Sequence, residues 1–331
     1  MRTIDWVDGA VELIDQTALP GRLTVLRVST VDDLVAAIQR LAVRGAPALG
    51  VAGALGVALA VAQPGDVAAA VRRLETARPT AVNLARGVRR AAARLPEGAD
   101  AVLAEALAVR DEEIAASAAM ARLGADLLAE LCGARPRLLT HCNTGALAAV
   151  VGGTALGAVL ELHRRDALGA VLASETRPLL QGARLTAWEL GRAGVPYRVA
   201  VDGAGPFLMA RGEVDGVVLG ADRICANGDV INKIGTYAHA LGARRAGIPF
   251  VVVAPESTVD PDTADGARVE IEDRGADEVL SYGRTPAGDG RPAGVDGVDA
   301  VNPAFDVTPY ELVTAIVTER RVIRLDRGER V

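Results

Sequence analysis

The sequence predicts an α/β protein with a mainly helical N-terminal domain, containing a small antiparallel β element, and a Rossmann-like C-terminal domain with a parallel sheet. Residues 31 to 131 carry apolar side chains at three- and four-residue spacings, which is typical of amphipathic helices. After residue 136, short apolar runs alternate with helical segments, which is typical of strand–helix units. At 331 residues the chain is long for a single core, so we expect two domains, residues 1–132 and 133–331.

The N-terminal part begins with the β element. Two short apolar runs, residues 11–15 and 22–27, flank the turn Leu19-Pro20-Gly21 and predict paired strands. Prolines and Pro-Gly pairs then separate the helical patterns from one another. The predicted helices cover residues 31–41, 49–62, 67–74, 82–95 and 101–131.

The C-terminal part alternates between the two periods. Predicted strands cover residues 137–140, 170–173, 197–201, 216–219 and 250–254, and helical patterns cover 146–162, 181–193, 207–211 and 234–246. Five such units imply a parallel sheet with helices on both faces. Residues 288–299 are rich in Gly, Asp and Pro and predict an exposed loop, and residues 309–320 predict a closing helix.

Composition restricts the function classes. A net charge of −6 without a basic stripe argues against nucleic-acid binding. The three cysteines have no Cys-x-x-Cys spacing, which favours a reducing compartment. The first residues lack an apolar signal core, and the apolar run 49–62 is too short to span a bilayer. We therefore expect a cytoplasmic protein that binds neither nucleic acid nor membranes.

Two chemically useful side chains follow predicted strands. Cys142 follows strand 137–140 and precedes a helical pattern, where a helix dipole would favour the thiolate. Asp222 follows strand 216–219, directly after Gly220 and Ala221, whose small size lets a ligand approach. Because ligands gather at the carboxyl ends of parallel strands, both residues are candidates for acid/base or nucleophilic roles. The alternatives are a small buried cysteine and an aspartate that only stabilises a turn.

Several loops have the features of anion sites. Arg44, Arg78 and Arg177 each lie close before a proline that suits the start of a helix, where free amides and a guanidinium favour phosphate. Asn232 and Lys233 are expected to open the following helix and to bind a phosphate or sugar hydroxyls. The sequence has no phosphate-binding glycine fingerprint, and its three histidines have no metal-ligand spacing, so we expect neither a cofactor nor a metal.

Read together, these segments resemble the methylthioribose-1-phosphate isomerase family, which is related to the regulatory subunits of a eukaryotic translation-initiation exchange factor. The similar motifs follow one another along nearly the whole chain: Leu13–Thr17, Val43–Ala48, Thr76–Thr80 with Asn83-Leu84, Thr140–Gly145, Glu175–Pro178 with Gln181–Thr186, Gly220–Ile224, Asn227–Asp229 with Asn232–Thr236, and Asn302–Pro309.

The resemblance implies roles for individual residues. The catalytic pair of the family falls on Cys142 and Asp222, and Arg177 is a further possible member of the site. The substrate-binding positions of the family fall on Arg44, Gly45, Ala46, Arg78, Gln181, Asn232 and Lys233. The resemblance also implies a homodimer and a site built without a cofactor. One segment, Asp202-Gly-Ala-Gly-Pro-Phe207, departs from the pattern of the family.

The expected activity is therefore conversion of 5-methylthioribose 1-phosphate into 5-methylthioribulose 1-phosphate in methionine salvage. Two alternatives stay open at this point. The chain could isomerise another 1-phosphorylated pentose, such as 5-deoxyribose 1-phosphate or ribose 1,5-bisphosphate. It could also be a non-catalytic homologue that binds sugar phosphates or nucleotides without turning them over.

Overall fold

The computed structural model describes residues 2–79, 81–282, 291–292 and 298–331. It has a mixed α/β architecture with a large, mostly parallel sheet. The chain divides into two compact units: unit 1 comprises Met1–Ser117 with Ala146–Gly153, and unit 2 comprises Ala118–Gly145 with Thr154–Val331. The predicted boundary at 132/133 stays a prediction, and most of the predicted loop 288–299 lies outside the described residues.

Unit 1 combines a small antiparallel sheet with helices. Its strands, in the order β1-β2-β3, are β1 Ile4–Val7, β2 Ala10–Ile14 and β3 Val25–Val28. Its helices are α1 Val31–Gln39, α2 Ala46–Ala62, α3 Val67–Glu75, α4 Val82–Ala92 and the first part of α5 Ala99–Cys132. All five predicted helices are present, and β1 is an additional strand.

Helix α2 is apolar on every side and lies at the centre of the unit 1 core. Twelve of its residues, from Ala48 to Ala60, are buried. Glycines let α4 approach closely: a Cβ placed on Gly87 would lie 2.0 Å from the carbonyl oxygen of Gly50. An all-round apolar helix must be surrounded by other elements, as this one is. Among the described residues, no helix has both the length and the apolar character needed to cross a membrane.

Unit 2 contains the large sheet, a four-stranded sheet and an antiparallel pair of strands. Its strands are β4 Arg137–Thr140, β5 Ala170–Ser174, β6 Tyr197–Ala200, β7 Gly216–Leu219, β8 Arg223–Cys225, β9 Val230–Lys233, β10 Phe250–Val253, β11 Val259–Asp260, β12 Ser281–Tyr282, β13 Arg291–Pro292, β14 Phe305–Thr308, β15 Ala315–Val317 and β16 Val322–Ile323. The large sheet has the order β16-β15-β10-β7-β4-β5-β6, and only β16 runs antiparallel to its neighbour. The four-stranded sheet has the order β11-β8-β9-β14, and the antiparallel pair is β12-β13.

Unit 2 begins with the later part of α5, and its other helices follow its strands. They are α6 Ala155–Arg164, α7 Ala187–Ala193, α8 Ala204–Ala210, α9 Thr236–Ala246 and α10 Ala276–Leu280, and a π-helical turn, Gly182–Thr186, precedes α7. All five predicted strands of this part are present, within one residue of the expected bounds.

The predicted closing helix over residues 309–320 is wrong. Only a short 3₁₀ turn forms there, at Tyr310–Leu312, and it is followed by β15. Ala315, Ile316 and Val317 are fully buried and pair in parallel with β10. Two β-branched residues and burial on both faces favour a strand, and this tertiary pairing outweighs the helical spacing.

Candidate active site

The two predicted catalytic residues follow neighbouring strands of the large sheet. Strands β4 and β7 are parallel and paired, with Leu139 opposite Val217. Cys142 follows the end of β4 by two residues, and Asp222 follows the end of β7 by three. Parallel strands end at the same edge, so the sheet brings these two segments together. A Cβ placed on Gly220 would lie 2.9 Å from Cγ2 of Thr144, so these loops pack closely.

Cys142 is buried and has an unusual backbone conformation. Its side chain is among the buried apolar groups, with 9% of the residue exposed. Its φ of 60° lies in the left-handed region, which is uncommon for residues other than glycine. Its N–H donates to Oγ1 of Thr176 at 2.9 Å, and its carbonyl accepts from Oγ1 of Thr186 at 2.6 Å. Both backbone groups are therefore held by threonine hydroxyls.

Asp222 is partly buried and is tied to the second sheet. Its N–H donates to the carbonyl of Ile231 at 2.9 Å. The neighbouring Arg223 forms a salt bridge with Asp260, with 3.2 Å between Nη1 and Oδ2. Asp222 thus lies at the junction of the large sheet with β9, next to the segment that carries Asn232 and Lys233.

Gln181 lies in the loop region that follows β5, at the start of the π-helical turn. The residue is buried, with 6% exposed, and its Oε1 has no hydrogen-bond partner among the described residues. A buried acceptor without a partner costs about 1–3 kcal/mol. A ligand that donates to this oxygen would recover that energy, so Gln181 has the character of a binding residue.

The prediction that Asn232 and Lys233 open a helix is wrong. They are the last two residues of β9, and α9 begins at Thr236 after Gly235, which has a φ of 106°. The reason is pairing: Asn232 and Lys233 lie opposite Asp306 and Phe305 of β14 in an antiparallel ladder.

Both side chains nevertheless have defined environments. Asn232 is buried, and its Nδ2 donates to Oγ1 of Thr236 at 2.9 Å. Lys233 Nζ donates to the carbonyl of Ala304 at 2.7 Å and lies 4.3 Å from the ring centroid of Phe305. The Phe305 contact is a cation–π interaction that orients the ammonium group.

In unit 1, Arg44, Gly45 and Ala46 form the entry into α2. Arg44 Nε donates to Oε1 of Gln16 at 3.0 Å, and Gln16 Nε2 donates to the carbonyl of Leu147 at 2.6 Å. Gly45 is the N-cap of α2, with a φ of 95° and no side-chain cap. The first amides of a 17-residue helix therefore begin beside a guanidinium, which is an arrangement that favours an anion.

Arg78 lies in the corresponding position before α4, and its carbonyl accepts from the N–H of Ala81 at 3.0 Å. Helices α2 and α4 pack through their early turns, since a Cβ on Gly50 would lie 3.3 Å from the carbonyl oxygen of Asn83. Unit 1 therefore brings the two arginine-bearing loops to the starts of two packed helices. Arg177, in unit 2, donates through Nη2 to the carbonyl of Val279 at 2.8 Å.

The structure adds a polar network that sequence reasoning missed. Thr176 and Thr186 hydrogen-bond to the backbone of Cys142. Asp202 accepts from Thr176 and Ser174, and His239 and His141 continue the network from Ser174. The sequence contained two indications of this network, since Thr176 belongs to the Glu-Thr-Arg-Pro segment and Asp202 follows a predicted parallel strand. Desolvation by burial lowers the pKa of His141 and lowers that of His239 to about 3, so both rings are neutral near pH 7.

Carboxylates near this edge have shifted pKa values. Burial raises the pKa of Glu175, and the neighbouring charge of Asp202 adds to the effect. Burial raises the pKa of Asp306 to about 6, although the amides of Tyr237 and Gly235 and the charge of Lys233 act in the opposite direction. No group of three or more His, Cys, Asp or Glu side chains with the geometry of a metal site occurs in the part of the chain that the structure describes.

Comparison with known proteins identifies the family. The model of the initiation factor 2 subunit family matches residues 42–324. The chain belongs to this family. It is 54% identical to the methylthioribose-1-phosphate isomerase of Anaeromyxobacter sp. (strain K), over 95% of the chain and 91% of that protein. It is 48% identical to the 5-deoxyribose 1-phosphate isomerase of Moorella thermoacetica, over 97% of the chain and 93% of that protein.

One longer relative combines two named activities. The chain is 52% identical to a probable bifunctional methylthioribose-1-phosphate isomerase/methylthioribulose-1-phosphate dehydratase of Nocardia farcinica, and it spans 60% of that protein's length.

Solved structures show the same fold. The 5-methylthioribose 1-phosphate isomerase of Pyrococcus horikoshii matches with a TM-score of 0.88 and 38% identity, over 98% of this chain and 92% of that one. The translation initiation factor eIF-2B subunit delta of A. fulgidus matches with a TM-score of 0.83 and 41% identity, over 98% of this chain and 96% of that one. The family therefore includes proteins with both enzymatic and translational names.

Proposed function

We propose that this protein is an aldose–ketose isomerase that converts 5-methylthioribose 1-phosphate into 5-methylthioribulose 1-phosphate in methionine salvage. The observation that carries the proposal is the placement of Cys142 and Asp222 at the carboxyl ends of the paired strands β4 and β7. Relatives that bear this name, and that are about as long as this chain, support the same reaction.

The substrate chemistry explains why an acid is needed. The phosphate sits on the anomeric carbon, so the sugar cannot open to a free aldehyde as ordinary aldoses do. Ring opening needs proton donation to the ring oxygen, and we assign this role to Asp222. Asp222 is partly buried and follows the buried strand β7, and a carboxyl group held beside the ring oxygen can act as a general acid.

The second step moves hydrogen between C2 and C1 of the opened sugar. We assign Cys142 to this step, either as the group that carries the proton or as the group that stabilises the transition state. The two threonine hydroxyls that hold its backbone give the thiol a defined position, which is a requirement for efficient transfer.

We assign the remaining predicted residues to binding. In unit 1, Arg44, Arg78 and the amides of Gly45 and Ala46 offer donors suited to phosphate oxygens. In unit 2, Gln181 and Asn232 offer buried polar groups suited to sugar hydroxyls, and Lys233 offers an oriented ammonium. Specificity for the 5-methylthio group stays a proposal.

A direct assay tests the reaction. The purified protein is incubated with 5-methylthioribose 1-phosphate, and the ketose product is measured. Cys142→Ser and Asp222→Asn should each lower kcat at least about a hundredfold, which is the scale on which a positioned acid or base acts. Cys132→Ser and Asp166→Asn are matched controls outside the site and should leave kcat unchanged. Activity within a few-fold of wild type for either site variant would remove that residue from the mechanism.

The relative from Moorella thermoacetica supports a second substrate, 5-deoxyribose 1-phosphate. The two substrates differ only in the group on C5, so a comparison of kcat/KM for both tests which one the pocket prefers. The A. fulgidus protein supports the non-catalytic alternative. Binding of both sugar phosphates by calorimetry without product formation would favour that alternative and would refute the isomerase.

We further propose a cytoplasmic homodimer with a Rossmann-like catalytic domain. Support for self-association comes from exposed apolar side chains on β6, which ends the sheet order, and on the packed helices α8 and α9. Val199, Phe207 and Leu241 are 44%, 61% and 45% exposed. Sedimentation velocity should show a dimer that Phe207→Asp weakens, and a wild-type monomer at micromolar concentration would refute the dimer.

A further inference from the structure

The backbone of Cys142 is held in a conformation that it would not adopt alone. A non-glycine residue in the left-handed region costs about 1–2 kcal/mol. The opposing contributions are the hydrogen bond from the Cys142 N–H to Oγ1 of Thr176 and the one from Oγ1 of Thr186 to the Cys142 carbonyl. Removal of either hydroxyl would take a hydrogen bond away from a buried backbone group.

Thr176 is itself held by Asp202. Thr176 is fully buried, has a φ of 68°, and its hydroxyl donates to the carbonyl of Ser174 at 3.0 Å. The Asp202 carboxylate accepts the Thr176 N–H at 2.8 Å and the Arg177 N–H at 2.7 Å. It also accepts a hydrogen bond from the Ser174 hydroxyl. One carboxylate therefore gathers three donors from the segment that holds Cys142.

The buried histidine pair determines the direction of these hydrogen bonds. His141 Nε2 lies 2.8 Å from the carbonyl of Ile234, which can only accept, so Nε2 carries the hydrogen and Nδ1 is the acceptor. His239 Nε2 lies 3.3 Å from this Nδ1 and 3.3 Å from Ser174 Oγ, so it is the donor. His239 Nδ1 is buried without a hydrogen-bond partner among the described residues, as expected for the unprotonated nitrogen of a neutral ring.

This arrangement leaves the Ser174 hydroxyl hydrogen for Asp202. The Ser174 oxygen accepts from His239, and its hydrogen points to the carboxylate. His141, which precedes Cys142, also hydrogen-bonds to the carbonyl of Ile234, which follows Lys233. The network therefore connects the catalytic and substrate-binding segments of unit 2.

We propose that Asp202 is a positioning residue for Cys142 and acts through Thr176. Asp202 holds the Ser174–Arg177 segment, and Thr176 presents its hydroxyl to the Cys142 N–H, so the thiol stays in its reactive position. This role rests on the proposed catalytic role of Cys142.

The experiment compares Thr176→Val with Thr176→Ser. Valine matches the shape of threonine but removes the hydroxyl, whereas serine retains it. Thr176→Val should lower kcat by roughly 10- to 100-fold with KM within about threefold, because misplacement of a reacting group mainly affects the chemical step. Thr176→Ser should restore most of kcat. Asp202→Asn, which replaces one acceptor by a donor, should lower kcat in the same way.

A second readout does not depend on turnover. Hydrogen–deuterium exchange of peptides that cover Cys142 should show faster exchange in Thr176→Val and Asp202→Asn than in wild type and Thr176→Ser. Equal kcat and equal exchange for the valine and serine variants would overturn the positioning role. If the wild type has no isomerase activity but the exchange differs as expected, the positioning of Cys142 stands and the proposed reaction fails.

Discussion

Replacement of Gln181 by methionine separates binding from stability at the candidate site. Gln181 is buried, and its Oε1 has no hydrogen-bond partner among the described residues. Methionine has a similar length and no carbonyl oxygen, so it removes the unsatisfied acceptor from the free protein. The free energy of unfolding should therefore stay unchanged or increase by up to about 1–3 kcal/mol, the cost of burying such a group.

Substrate binding should change in the opposite direction. If a sugar hydroxyl donates to Oε1, its loss removes about 1–3 kcal/mol of interaction, which corresponds to a decrease in kcat/KM of roughly 5- to 150-fold. Urea unfolding measures the first quantity, and initial rates with 5-methylthioribose 1-phosphate measure the second.

Thr258→Val is the matched control. Thr258 is buried, and its Oγ1 also has no hydrogen-bond partner among the described residues, but it lies in the short 3₁₀ turn after β10 and is not a candidate site residue. The free energy of unfolding of this variant should likewise stay unchanged or increase, and its kcat/KM should equal that of wild type. A Gln181→Met protein that is destabilised by more than 1 kcal/mol and retains full kcat/KM would refute the binding role and the reasoning from the unpartnered oxygen.

Three further predictions concern stability and cofactors. Because burial raises the pKa of Asp306 to about 6 from 3.8, the folded state binds this proton more tightly than the unfolded state. The resulting stabilisation is present below pH 3.8 and is lost as the pH rises through about 6. The urea midpoint should therefore depend less on pH in Asp306→Asn than in wild type across that window, and an equal pH dependence in the two proteins would contradict the prediction. Gly45→Ala should lower the free energy of unfolding in urea more than Gly98→Ala. Both glycines have a positive φ, but only at Gly45 would a Cβ meet backbone, 2.5 Å from the Ala148 carbonyl oxygen. Equal decreases in the two variants would disprove this contact. Isomerase activity should survive exhaustive EDTA treatment without added nicotinamide, and activity that only Mg²⁺, Mn²⁺ or Zn²⁺ restores would show that the Cys142–Asp222 mechanism is misassigned.

The sequence by itself determined the elements whose pattern is local. Strands β4 and β7 were predicted with their observed bounds because each is a short apolar run that ends at polar residues and glycine. The placement of Cys142 and Asp222 after those strands followed directly. Pro47 likewise indicated a nearby helix start, and the helix predicted from residue 49 begins three residues earlier, at Ala46.

Only the tertiary structure decided the features that depend on partners distant in sequence. Residues 315–317 have helical spacing, but pairing with β10 makes them a strand, and pairing with β14 keeps Asn232 and Lys233 in β9. The hydrogen bond that holds Cys142 joins residues 34 positions apart, through a threonine whose own conformation depends on Asp202. Periodicity reports which face of a segment is buried, whereas the choice of partner depends on the strand order of the sheet. The left-handed backbone conformation of Cys142 is therefore a property of the assembled sheet edge.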